Sequence, residues 1–198
     1  MSFLQRFVRW ALSKRIDGVL LKIEALLVSN IPKVVKAAKL REPVYCLRIW
    51  YNGTDSRKTA VPWLMLVKES TRKSFIRKHG KKSPYYIWAA DEATNTDQSF
   101  NVDIANDEPV KQYGLWYDHL CDLDDDEELQ PFREMIQRVA AKLNTLDWAA
   151  IVPATDDFVV FPADGSHTFC DDLGDLNASV PEERLKLLRS RNLLGPVE

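Results

Sequence analysis

Glycine is scarce in this chain, seven in 198 residues, and the scarcity excludes chemistry. Neither Gly-x-x-x-x-Gly-Lys-Ser/Thr nor Gly-x-Gly-x-x-Gly occurs, so the usual backbone cradles for nucleotide phosphates are missing. There is no Gly-x-Ser-x-Gly elbow to hold a serine nucleophile. Cysteine is rarer still. Cys46, Cys121 and Cys170 are far apart and odd in number, which makes no disulfide framework and fits a reducing cytosol. Long apolar runs are absent too. Gly18–Val28 is the most apolar stretch, yet Lys22 and Glu24 break it, far short of the ~20 residues that a membrane span needs. The opening Met1–Arg15 lacks the form of a signal peptide, because Arg6 and Arg9 interrupt its apolar part. These absences predict a cytoplasmic, non-catalytic protein that needs no cofactor.

What is present is charge, and it is segregated. Residues 1–90 carry 19 Lys+Arg against 5 Asp+Glu, a net of +14, while residues 91–198 carry 8 against 24, a net of −16. The formal total of −2 conceals this. Such asymmetry speaks of partners and fields rather than of fold.

Periodicity gives the elements. Apolar positions from Leu4 through Leu27 repeat every 3.6 residues and predict a long helix, with a second, shorter one over Ile31–Leu40 capped by Asn30. Val44–Tyr51 and Val61–Val67 read as an antiparallel pair of strands, apolar on both faces and therefore covered on both sides. Ser70–His79 is a basic helix ending at Gly80, and Tyr85–Ala89 reads as a third strand. Residues 91–126 are polar and irregular. From Pro131 a helix carries the stripe Phe132, Met135, Ile136, Val139, Ala140, Leu143 and Leu146. Asp156–Phe161 is a fourth strand, closed by a turn at Pro162–Gly165, and Asp171–Asn177 is a weak helical turn. Ser179 to Glu182 has the form of a capping box that opens a last helix. The expected fold is α+β: a mostly antiparallel sheet of about four strands flanked by helices. A helical segment, 1–42, precedes an α+β domain, 43–198, in one compact unit.

Several constellations invite chemistry. His119 with Cys121, and His167 with Cys170, supply zinc-type ligands in two local pairs, although neither pair has a Cys-x-x-Cys knuckle. Asp122, Asp124 and Asp126 alternate like the start of a calcium loop, but Glu127 stands where the sharp-turn glycine is needed. No metal is expected on that basis. The basic run Lys68–Lys82 beside Tyr85, Tyr86 and Trp88 resembles a nucleic-acid patch. Amphipathic helix faces account for it equally well, and the acidic half would repel phosphate. Trp50, Trp63 and Trp88 fall on predicted strands and are expected in the core. The densest acid lies beside aromatics, and it makes one candidate partner surface: Trp116, Tyr117, Asp118, Asp122, Asp124, Asp125, Asp126, Glu127 and Glu128.

A family likeness runs through short segments: Val44–Tyr51, Pro62–Val67, Tyr86-Ile-Trp-Ala-Ala-Asp-Glu92, Asp157-Phe-Val-Val-Phe161, Asp172-Leu, and Ser179-Val-Pro with a leucine helix ending at Asn192-Leu-Leu194. In that order they resemble small bacterial domains of unknown function grouped with immunity proteins of polymorphic toxin systems. The likeness covers roughly residues 43–194. It implies an α+β fold, no catalysis and a cognate toxin as partner, and it transfers no functional residues. An acidic face suits a basic toxin such as a nuclease, since opposed fields speed and select association. Two alternatives stay open. One is an adaptor that self-associates, as a homodimer, by pairing basic half with acidic half. The other is an enzyme or zinc protein using His119, Cys121, His167 and Cys170.

Overall fold

The computed structural model describes residues 3–51, 61–88, 98–121, 130–164 and 169–194, with side chains described over 14–51, 61–88, 99–115, 130–163 and 174–194. The elements in chain order are α1 (Phe3–Ala37), β1 (Val44–Tyr51), β2 (Trp63–Lys68), α2 (Glu69–His79), α3 (Ser83–Trp88), β3 (Gln98–Asn101), α4 (Glu108–Cys121), α5 (Gln130–Leu143), β4 (Ala154–Asp164), α6 (Phe169–Ser179) and α7 (Glu182–Ser190). This is the expected α+β fold with an N-terminal helix.

The four strands lie in the order β3-β2-β1-β4. β1 and β2 pair antiparallel, with Leu47 opposite Leu66 and Trp50 opposite Trp63. β2 and β3 are also antiparallel, but β1 and β4 run parallel, with Leu47 opposite Val160. The sheet is therefore mixed. The parallel pairing follows from distance along the chain: the long helical path between β1 and β4 lets the chain re-enter from the same end.

Both faces are covered, as the two-sided apolar pattern of β1 predicts. On one face Leu47, Ile49, Leu64, Leu66 and Val160 pack beneath α1, α4 and α5. On the other, Cys46, Val67, Val159 and Phe161 meet Ile87 and Trp88 of α3, Leu176 of α6 and Leu185 and Leu188 of α7.

Several local expectations are overridden. α1 runs unbroken through Pro32. Leu27, Ile31 and Val35 are all fully buried, and their burial at four-residue spacing outweighs the ~3 kcal/mol that an interior proline costs. Asn30 caps nothing. Its side-chain amide donates to the carbonyl of Leu26. Residues 85–88 are helix rather than strand. Pro84 suits a first helical turn, and the helix places Ile87 and Trp88 together in the core. The third strand is instead Gln98–Asn101, from the stretch expected to be irregular. It has little β-propensity and exists because the outer edge of β2 needs backbone partners. β4 continues through Pro162 to Asp164 where a turn was expected, and α6 is a full helix. The capping box does not form. Pro181 is the cap residue of α7, and the Ser179 hydroxyl donates to the carbonyl of Asp175 instead. The stripe of α5 is buried from Phe132 to Leu143, but Leu146 is exposed.

Candidate recognition surfaces

The proposed partner segment is only partly within reach of description. Trp116, Tyr117 and Asp118 fall on the last turns of α4, and Asp122, Asp124, Asp125, Asp126, Glu127 and Glu128 lie outside the described residues. His119 and Cys121 are also on α4 and Cys170 is on α6, while His167 lies outside. Among the described residues no cluster of three or more His, Cys, Asp or Glu is placed to hold a metal ion.

The ionisable groups that are buried form ties between elements. Arg72 of α2 and Asp157 of β4 share two hydrogen bonds of 2.9 and 3.2 Å. Glu69 stands 2.6 Å from the same guanidinium, which also lies 4.8 Å from the ring centre of Tyr45. Arg191, just beyond α7, grips Asp156 at 2.7 and 2.6 Å and reaches Asp157 at 2.9 Å. Burial pushes the Asp157 carboxyl up. Hydrogen bonds from Arg72, Thr155 and Arg191 outweigh that and hold it below its ordinary value. The hydrogen bond from Arg191 holds Asp156 at about 2. Glu24 on α1 is similarly held below its ordinary value: Lys142 and Arg138 overcome its burial. All these carboxylates are neutralised by fixed cations. The cations tie α2, α5 and the chain beyond α7 to these carboxylates.

Arg48 is fully buried in the sheet. It donates to the carbonyl of Ile87, which also receives the Tyr45 hydroxyl, both at 2.8 Å. That carbonyl sits in the last turn of α3, where helical partners run out. Trp88 then fixes the chain beyond α7 by donating Nε1–H to the carbonyl of Leu193 at 2.6 Å.

Two surfaces stand out among the described residues. The first lies at the start of β2, on the sheet face that packs against α3, α6 and α7. There Trp63 is 53% exposed and stacks on Trp50, with ring centres 4.8 Å apart and planes 16° from parallel. Met65 is half-buried beside it, and Ser99 and Asn101, its neighbours across β3, are exposed. Of the three tryptophans expected in the core, only Trp88 is wholly buried. The sequence signal was present: Trp63 alternates with Leu64 at the start of β2, and period two puts one of them outward. Which one faced outward needed the sheet.

The second surface is a groove of about 730 Å³ between the turn that links α2 to α3 and the chain beyond α7. Its lining includes Ile76, Lys81, Pro84, Arg189, Leu193 and Leu194. Gly80 makes the turn with φ 53° and ψ −122°.

Compared with models of protein families, with curated proteins and with solved structures, the chain matches none.

Proposed function

We propose that this chain is a non-catalytic binding protein of the immunity class, which neutralises a cognate toxin by occluding it. The observation that supports this most is the stacked pair Trp50–Trp63, with Trp63 half in solvent at the start of β2. Large exposed aromatics held rigid by a neighbour are the residues that dominate protein interfaces, since they bury much area at little cost in side-chain freedom. The acidic-aromatic segment Trp116–Glu128 supplies the second half of the reading. Its charge would speed the approach of a basic toxin, and the tryptophan pair, on the other face of the sheet, would hold it. No reaction is assigned, because each buried carboxylate described is already committed to an arginine or lysine.

The test is growth protection. A toxin gene lying beside this one is expressed in a sensitive host, with and without the chain. Protection is expected. It should be lost with Trp63→Ala and with Asp124→Lys/Asp125→Lys/Asp126→Lys, both at unchanged chain level. Protection that survives both changes would sink the surface assignment. Failure to protect against any neighbouring toxin would sink the class.

A further inference from the structure

The groove beyond α7 has walls fixed from both sides. Trp88 pins Leu193 on one wall, and Arg191 is locked to Asp156 and Asp157 at its base. Its floor is apolar, from Ile76, Pro84, Leu193 and Leu194. Basic residues line it or stand next in sequence to its lining. Lys81 lines it, and Arg77, Lys78 and Lys82 are exposed on the same turn and the last turn of α2. Among the described residues none of these four forms an ion pair with a carboxylate. Arg189 also lines the groove, its guanidinium paired with Glu182 at 3.0 Å. A groove with an apolar floor, Lys81 in its lining and three further exposed cations on the adjoining turn and helix end fits an anionic segment that carries apolar side chains.

The chain contains a segment of that composition. Leu120-Cys-Asp-Leu-Asp-Asp-Asp-Glu-Glu-Leu129 alternates leucines with six acids. It joins α4 to α5, and both of those helices pack on the α1 face of the sheet. The groove opens on the opposite face, among the residues that pack with Leu193. We propose that the groove is a self-association site, which takes the 120–129 segment of a second copy, reciprocally, so that two charge-matched contacts close a dimer. The occupant follows from complementarity: six acids meet Arg77, Lys78, Lys81 and Lys82, and leucines meet the apolar floor. Reciprocal contacts of this kind close on themselves instead of growing into fibres. Because the segment is also the one assigned to the toxin, self-association would sequester it until a toxin displaces the partner copy.

Sedimentation velocity on the full chain tests this in about 50 mM and about 500 mM salt, which shortens the screening length from roughly 14 Å to roughly 4 Å. The wild type is expected as a dimer of the 22.8 kDa chain at low salt, weakening at least tenfold at high salt. Lys81→Glu/Lys82→Glu and Asp124→Lys/Asp125→Lys/Asp126→Lys should each be monomeric. Both alter charged side chains, and an unchanged melting curve checks their folding. Mixing the two variants in equal amounts should restore the dimer, because each reversed groove then meets a reversed segment. A wild type that is monomeric at low salt overturns the proposal. So does a dimer indifferent to salt or to either reversal, or a mixture that stays monomeric. Toxin binding is judged separately: Trp63→Ala lies outside the groove and should leave the dimer intact while abolishing protection.

Discussion

The carboxylate of Asp157 meets the guanidinium of Arg72 in a two-pronged contact, 2.9 and 3.2 Å, across 85 positions of sequence. Both side chains are almost wholly withdrawn from water. The pair fastens α2 to β4 over the face of β1, and Arg191 brings the end of the chain to the same carboxylate. Planar matching of guanidinium to carboxylate gives such a tie its geometry as well as its strength.

Asp157→Asn should therefore be severely destabilising. It leaves Arg72 buried without its main counter-charge, and breaking one side of a buried pair costs on the order of 3 kcal/mol or more. The drop in denaturation midpoint measures it. A loss below about 1 kcal/mol would show that Glu69 alone can neutralise Arg72.

The same network fixes how stability responds to acid. Asp156, Asp157 and Glu24 all have folded values below their ordinary ones. A depressed carboxylate contributes stability that is fully present above its unfolded value and is lost as pH falls through the folded value. The melting temperature should hold steady above about pH 5 and fall steeply from about pH 4 toward pH 2. Asp156 itself is 70% exposed at the side chain, so water screens most of its share. In Asp157→Asn the acid-dependent fall should be shallower. An unchanged slope in that variant would place the lability elsewhere.

Asn144 guards the far edge of the sheet. Its side chain accepts from the Val160 N–H at 2.8 Å and donates to the Val160 carbonyl at 2.7 Å, as a neighbouring strand would. Arg184 covers the Phe158 carbonyl in the same way. Asn144→Ala should cost about 2 kcal/mol, since a buried edge donor and acceptor lose their partners. It should also promote association through the uncovered edge. Asn144→Asp keeps the acceptor but loses the donor, so it should not rescue. Equilibrium unfolding and light scattering report the two effects separately.

Gly80 adopts φ 53° and ψ −122°, and a Cβ placed there would meet nothing within 4 Å. Space is thus no obstacle, but the backbone conformation is one that side chains disfavour. Gly80→Ala should cost about 1–3 kcal/mol through conformation alone. It should shift the groove rim as well, weakening the dimer more than any other exposed glycine-to-alanine change. Thermal melts and sedimentation of this variant check both.

Trp63→Ala should change stability little despite the residue's size. Half of its surface is already in water, and its stack on Trp50 is worth about 0.5–1.5 kcal/mol. A loss of more than about 3 kcal/mol, the scale of a buried tryptophan, would show that Trp63 is a core residue rather than a recognition one.

How far the fold was legible varied with the kind of signal. The β1–β2 hairpin and α5 stood out because their apolar positions are dense and strictly periodic. Tyr85–Trp88 misled, since aromatic and β-branched residues suit any half-buried surface, and the packing of Ile87 and Trp88 favoured helix. Gln98–Asn101 gave no warning at all, because its strand is held by backbone bonds to β2, which leave no trace in side chains. Among candidate site residues, the acids of 118–128 were conspicuous as charge. Trp63 reads as core because it falls on a strand, and only its place at the start of β2 puts it in water.

By itself the sequence determined which segments could bury a face, that no common catalytic motif is spelled out, and that basic and acidic residues occupy opposite halves of the chain. These are local or additive properties, readable from spacing and sums. Only the tertiary structure decided that β4 enters parallel to β1, that Arg72, Asp157 and Arg191 converge, and that Trp63 faces water while Trp88 does not. Each of those depends on which distant elements meet, and contact between residues 85 positions apart is a property of the packed molecule, set by the burial it achieves as a whole.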